Sequence, residues 1–193
     1  MIKRPRSFLA GLLFAATALA LATGGASAQN LEKFVVKGTK NEISLDTATK
    51  IAQAAMDYAA HQQMTNGAPM RPTLYILGPE GNIVYALRMD GEHAINGQTA
   101  LLKAQTALAF RIPTRQLENM SAKGTVAQRA WLAQTEIDGH VAYAVAGGQP
   151  IIVDNQIIGA IGMGGCLPRC DDVVAHGITT VVGPQPPVPD PQP

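Results

Sequence analysis

Leu74-Tyr75-Ile76-Leu77-Gly78-Pro79-Glu80-Gly81-Asn82-Ile83-Val84-Tyr85-Ala86-Leu87 holds two β-rich runs separated by a five-residue loop. Pro79 presets a turn dihedral and Gly81 accepts positive φ, so the two runs are expected to fold back as antiparallel neighbours. Upstream, Leu45, Ala48, Ile51/Ala52, Ala55/Met56 and Ala59 recur at helical spacing, with Ser44 as the N-cap candidate and Asp46 in the first turn. This helix reaches His61 to Met64 and stops at Thr65-Asn66-Gly67, where Asn and Gly tolerate a left-handed backbone. Before it, Gln29 to Asn41 reads as a leading strand or a loose arm around Phe34-Val35-Val36.

Downstream of the hairpin, the spacing predicts a second helix from Gln98 to Phe110, ended by Pro113. Thr114 is positioned to cap a third helix from Arg115 to about Ala122. Residues 123–140 give no clear period, although Trp131-Leu132 reads as a core anchor. Three short strands follow at Val141 to Ala146, Pro150 to Val153 and Gln156 to Met163. Gly147-Gly148-Gln149 turns the first pair, and Asp154-Asn155 suits a tight two-residue hairpin. Gly162-Met163-Gly164-Gly165 then leads through Cys166-Leu167-Pro168-Arg169-Cys170 into a short helix over Asp171 to Gly177. The order is helix, hairpin, two helices, strand meander, helix, which lacks the strict alternation of a parallel sheet. The expected class is α+β: a single domain with a roughly five-stranded antiparallel sheet flanked by helices.

Composition bounds the rest. With 193 residues, 47% of them hydrophobic and 15% charged, the chain can bury one ordinary core. A net charge of +1 without a basic stripe argues against a nucleic-acid partner. Lys3, Arg4 and Arg6, an uncharged apolar run from Phe8 to Leu21, and Ala26-Ser27-Ala28 form the pattern of a secretory leader cleaved after Ala28. The alternative is an uncleaved anchor extended to Gly25. Cleavage removes three cations and no acid, leaves a slightly negative chain with no membrane attachment, and implies a periplasmic or secreted location. The expected division is 1–28 leader, 29–42 arm, 43–182 domain and 183–193 Pro-rich tail, the tail being polyproline-like and solvated.

No Walker loop, G-x-S-x-G, H-E-x-x-H or strand-G-x-G-x-x-G-helix unit is present. The glycines at 159 and 162–165 read as close backbone packing at a sheet end. Cys166 and Cys170 form a C-x-x-x-C pair that allows a disulfide around Pro168, a thiolate metal site or a redox-switched pair. It is neither the thioredoxin nor the c-type haem spacing. Asp172 and His176 stand four apart on one helix face, so Cys170, Asp172 and His176 are a candidate metal set. His61, at the end of the first helix, is either a C-terminal cation or an axial ligand.

The runs Ile43-Ser44-Leu45-Asp46-Thr47-Ala48, Arg88-Met89-Asp90-Gly91, Lys103-Ala104-Gln105-Thr106-Ala107, Pro113-Thr114-Arg115-Gln116-Leu117 and Gly147-Gly148-Gln149-Pro150-Ile151-Ile152-Val153, with Ile158-Gly159-Ala160-Ile161-Gly162, together resemble the GlcG/HbpS-like haem-binding family, which is related to the PduO C-terminal domain. The resemblance covers about Ile43 to Gly177. It implies an antiparallel sheet with flanking helices, homo-oligomers and, for some exported members, haem binding linked to redox sensing or iron handling. It also implies that Thr114 or a first-helix histidine, here His61, contacts haem iron, and it matches an acidic pair to Asp171-Asp172. Cys166-Leu167-Pro168-Arg169-Cys170 departs from the small polar residues usual before that pair. The resulting expectation is an exported, non-catalytic binder of haem or another flat tetrapyrrole, its propionates near Arg88, Lys103 or Arg111. Two alternatives stand beside it: an enzyme or enzyme accessory acting on a small organic acid, or a structural oligomer stapled by Cys166 and Cys170.

Overall fold

The computed structural model describes residues 33–36, 41–137 and 139–187. The expected leader, most of the arm and the end of the tail lie outside these residues. In chain order the elements are β1 (Val35–Val36), β2 (Glu42–Ile43), α1 (Leu45–Ala60), β3 (Thr73–Leu77), β4 (Ile83–Arg88), α2 (Ala94–Phe110), α3 (Thr114–Lys123), α4 (Val126–Gln134), β5 (Glu136–Ile137), β6 (His140–Val141), β7 (Gly148–Val153), β8 (Gln156–Gly164) and α5 (Cys170–Val181). Among the described residues, no helix is long and apolar enough to cross a membrane.

The main sheet has four antiparallel strands in the order β4-β3-β8-β7, and β1–β2 and β5–β6 form two-stranded ribbons. The chain is thus α+β as expected, with one strand fewer in the main sheet. The missing strand is the one expected over Val141 to Ala146. Only Val141 pairs, with Glu136. Beyond it Ala142 N donates to Thr135 O at 3.0 Å and Val145 N to Tyr143 O at 2.9 Å, while Tyr143 N donates to Thr106 Oγ1 at 2.9 Å and Ala146 N to Glu118 Oε2 at 3.3 Å, both on helices. With its donors divided between nearby carbonyls and helix side chains, the segment does not join the main-sheet ladder.

Alternation along the strands divides the core. Leu74, Ile76, Ile161 and Met163 face α1 and α5 in the main apolar cluster. Gly162 and Gly164 point the other way, where a Cβ would run into the α2 backbone at Ala100, Ala104 and Asn96. The glycine-rich strand end therefore lets α2 lie directly on β8, the close packing that the sequence suggests. Asp154 and Asn155 both have positive φ, 48° and 61°, giving the two-residue hairpin between β7 and β8 the twist its strands require.

The helix starts follow their caps. Ser44 accepts a hydrogen bond from Thr47 N at 3.1 Å, as its N-cap position predicts. The second helix begins at Ala94, four residues before its periodic apolar stretch. Thr114 is not a cap: Pro113 occupies that position and Thr114 is the first helical residue. In the region without a clear period, Thr125 and Gln128 form a reciprocal capping box that starts α4.

Candidate functional site

Two places collect the chemically active side chains. The first is a polar knot where α2, α3, β7 and the start of α5 meet. Thr114 is fully buried, and its hydroxyl accepts from Gly148 N at 2.9 Å and donates to Gly148 O at 3.4 Å. Arg115, one residue on, pairs with Asp171 at 2.6 Å and with Glu118 at 2.7 Å. The other Asp171 oxygen accepts from Gly147 N at 2.6 Å. Lys103 reaches the same region from α2, only 2% exposed, and donates to Met163 O at 2.9 Å. Burial lowers its ammonium from 10.5 to about 8 against the opposing pull of Asp171 and Glu118, with Arg115 lowering it further.

A disulfide between Cys166 and Cys170 borders this knot. Gly147, at φ +111°, has no room for a side chain because Cys170 Cβ, Met163 O and Lys103 Nζ crowd the place a Cβ would take. The glycine thus lets β7 enter beside the disulfide. The pair is bonded, which closes the thiolate metal reading and is the oxidised form that a disulfide staple and a redox-switched pair share. Bonded to Cys166, the Cys170 sulfur is not available as a metal thiolate, and among the described residues no group of three or more His, Cys, Asp or Glu side chains is placed to hold a metal. Cys170, Asp172 and His176 therefore do not form the metal set proposed from their spacing. Cys170 is fully buried, whereas Asp172 and His176 face solvent, and Asp172 pairs with Arg169 at 3.5 Å.

The second place is the outer surface of α1 and α5. His61 caps the C-terminus of α1 and is exposed, and its Nδ1 lies 2.8 Å from Asp57 O. A carbonyl oxygen can only accept, so Nδ1 is the donor in this contact and Nε2 takes no part in it. Three residues earlier, Tyr58 stacks on His176 of α5 with ring centroids 4.4 Å apart and planes 18° from parallel. Arg169 reaches from the start of α5 to Gln62, next to His61, at 2.5 Å. Farther toward the N-terminus of α1, Phe34, Ala54 and Val181 floor a groove of about 630 Å³ rimmed by Lys33 and Lys50.

The three cations expected at propionates do not converge. Arg88 ends β4 before α2 begins, Lys103 lies inside the knot, and Arg111 is the C-cap of α2 at φ 62°. The 17 residues of α2 separate the two arginines by roughly 25 Å. Arg88 borders a groove of about 400 Å³ with Tyr75, Gly97 and Gln98. Arg111 borders a separate hollow of about 390 Å³ with Glu80, Gln105 and Ile157. Thr114 and His61 also belong to different places, one in the knot and one on the surface. What the sequence did not single out is the Arg115–Glu118–Asp171 network and the Tyr58 stack. An Arg and Glu three apart on a helix are a visible local signal, but Asp171 is 56 residues from Arg115.

An antiparallel α+β domain with one helix seated on a glycine-rich sheet face and a helix pair on the other is the class this geometry defines. The chain belongs to the HbpS-like family: that family's model, described as haem degrading protein HbpS-like, matches residues 43–179. Among solved structures it is similar to the Klebsiella pneumoniae protein ORFY, at 19% identity over 76% of this chain and 97% of that one, with a TM-score of 0.57. It is similar to a double mutant of Streptomyces reticuli HbpS, at 23% identity over 76% of this chain and 94% of the other, also with a TM-score of 0.57. A complex of PduOC with heme matches at 19% identity over 72% of this chain and 95% of that one, with a TM-score of 0.56. At these identities the likeness is one of fold. No curated protein matches the chain.

Proposed function

We propose that this chain is an exported haem-binding protein in which His61 ligates the iron, serving redox sensing or iron and haem handling. The observation that carries the reading is the state of that imidazole. Ligating histidines characteristically donate their second ring N–H to a carbonyl or carboxylate, which fixes the tautomer and aims the free nitrogen. His61 has this arrangement, an exposed residue with Nδ1 held by Asp57 O. The family description and the heme complex of PduOC support the same ligand. Thr114 suits the role poorly, because it is fully buried and its hydroxyl is held between Gly148 N and Gly148 O.

The residues around His61 fit a flat, largely apolar ligand: the Tyr58–His176 ring pair offers a planar aromatic surface one helical turn away. Bound haem would supply an iron centre there, while the chain supplies the ligand nitrogen and the aromatic contact. A haem on so exposed a face needs a second wall, which a second copy of the chain would provide, in keeping with a homo-oligomer. The leader over 1–28 would place the protein in the periplasm or outside the cell.

Hemin titration of the mature protein tests this reading. A saturable Soret shift at about one haem per chain is expected, and His61→Ala is expected to weaken it at least tenfold. No shift at micromolar hemin overturns haem binding, and a His61→Ala variant that binds like the parent overturns the ligand. Following the band for hours separates capture from turnover: a stable band supports a binder, and loss of the band with ring opening overturns the non-catalytic reading.

A further inference from the structure

Among the described residues, no carboxylate pairs directly with the Lys103 ammonium. That ammonium sits in the interior, where an uncompensated charge is costly. The charged groups facing it are Asp171 of α5 and Glu118 and Arg115 of α3. Both acids are already engaged by Arg115, and Asp171 also by Gly147 N. Beyond Met163 O, the partner Lys103 Nζ approaches is a sulfur, Cys170 Sγ at 4.0 Å. Cys170 is also the first residue of the 12-residue α5, where backbone N–H groups lack intrahelical acceptors and the helix dipole favours negative charge. In the disulfide that sulfur is neutral, and two elements arranged to hold an anion face an uncharged atom.

We propose that Cys166–Cys170 is a reducible pair, a thiol–disulfide switch opened by an external dithiol, in which Lys103 and the start of α5 hold Cys170 as a thiolate. The three residues between the cysteines are exposed, Leu167 by 48%, and form the approach to the buried sulfurs. One thiolate of the dithiol attacks Cys166 Sγ, forming a mixed disulfide and expelling Cys170 as thiolate. Cys170 is the favoured leaving group because a thiol of lower pKa leaves faster. The reagent's second thiol then attacks its own sulfur in the mixed disulfide, its proton passing to the departing Cys166. Two electrons move from dithiol to protein, the dithiol leaves as its disulfide, and the chain is left with Cys166 as thiol and Cys170 as thiolate paired with the Lys103 ammonium.

Burial and the adjoining carboxylates of Asp171 and Asp172 raise the pKa of the Cys170 thiol, whereas the Lys103 ammonium and the helix N-terminus lower it, so its ionisation reports which influence wins. The test uses haem-free mature protein and is therefore independent of the ligand at His61. Equilibrating the parent and Lys103→Met with reduced and oxidised dithiothreitol at pH 7, then alkylating and weighing, gives the reduction equilibrium. Lys103→Met is expected to reduce at least tenfold less favourably, about 30 mV per tenfold for this two-electron couple. Lys103→Arg, which keeps the charge, should recover most of the difference. In a second measurement, thiolate absorbance of Cys166→Ser is titrated: Cys170 should ionise below the ordinary thiol value of about 8.5. The double variant Cys166→Ser with Lys103→Met should return to or above that value. Equal equilibria in the parent and Lys103→Met, a Cys170 that ionises at or above the ordinary value, or a disulfide that dithiothreitol reduces only in denaturant each overturn the proposal. If Lys103→Met does not fold, the Cys166→Ser titration decides alone.

Discussion

Thr114 and Gly148 exchange hydrogen bonds across the joint between α3 and β7, the hydroxyl accepting from Gly148 N and donating to Gly148 O. Both residues are buried. Thr114→Val keeps the shape and strands the Gly148 N–H without a partner, which should cost about 1–3 kcal/mol. Thr114→Ser should keep most of it. Urea unfolding measures both, and a valine variant as stable as the parent would show that the exchanged bonds do not tie β7 to α3. The same valine variant should leave the hemin titration unchanged, since the hydroxyl is buried away from the surface that carries His61.

Gly162 is where α2 rests on the sheet, and a methyl group there would occupy the space of Ala100 O and the Ala104 backbone. Neither neighbour is a flexible side-chain end, so Gly162→Ala must push α2 off β8. Overpacking of this kind costs about 1–3 kcal/mol. Thermal unfolding should show the loss, whereas Gly67→Ala, with open space around the would-be methyl, should lose only what its positive φ demands.

How much of this was legible in the chain depends on the range of the signal. The α1 pattern, its Ser44 cap and the Asp154-Asn155 hairpin are local, and the fold keeps them. The strand expected over Val141 to Ala146 does not form, and two of its donors, Tyr143 N and Ala146 N, go instead to Thr106 and Glu118, partners 37 and 28 residues away. For the same reason the cation set misled: Arg88, Lys103 and Arg111 look alike as a list of positive charges, and only the length of α2 separates them. Cys170 and Lys103 suggest different roles when each is read in the sequence, and their contact spans 67 positions. Helical spacing did place Asp172 and His176 on the exposed side of α5, but it could not show that Cys170, at the start of that helix, points inward to its disulfide.

The start of α4 was visible in principle as Thr-x-x-Gln. Thr125 Oγ1 accepts from Gln128 N at 3.2 Å, and Gln128 Oε1 accepts from Thr125 N at 2.9 Å. Thr125→Ala removes one half of this reciprocal cap and should destabilise the domain by about 0.5–2 kcal/mol. Because α4 places Trp131 edge-on against Phe110, with centroids 5.2 Å apart, tryptophan fluorescence should begin to change earlier in the denaturant series than for the parent. Coincident onsets would mean that packing on Phe110 holds α4 without its cap.

Lys103 sets the sign of a pH effect on stability. Its folded-state value of about 8 lies below the ordinary 10.5, so both folded and unfolded chains are protonated there at pH 7 and the folded state carries the whole desolvation penalty. As the pH rises through 8 toward 10.5, the folded chain releases this proton while the unfolded chain keeps it. The unfolded state then binds more protons, and stability rises with pH over that window. Other lysines and tyrosines titrate in the same range, so the quantity to follow is the difference between the parent and Lys103→Met. That difference should shift in favour of the parent by on the order of 3 kcal/mol between pH 7 and pH 10.5. Urea unfolding at both pH values, with the disulfide intact, gives the comparison. A difference that stays flat would show that the interior around Met163 O and Cys170 solvates the ammonium as well as water does.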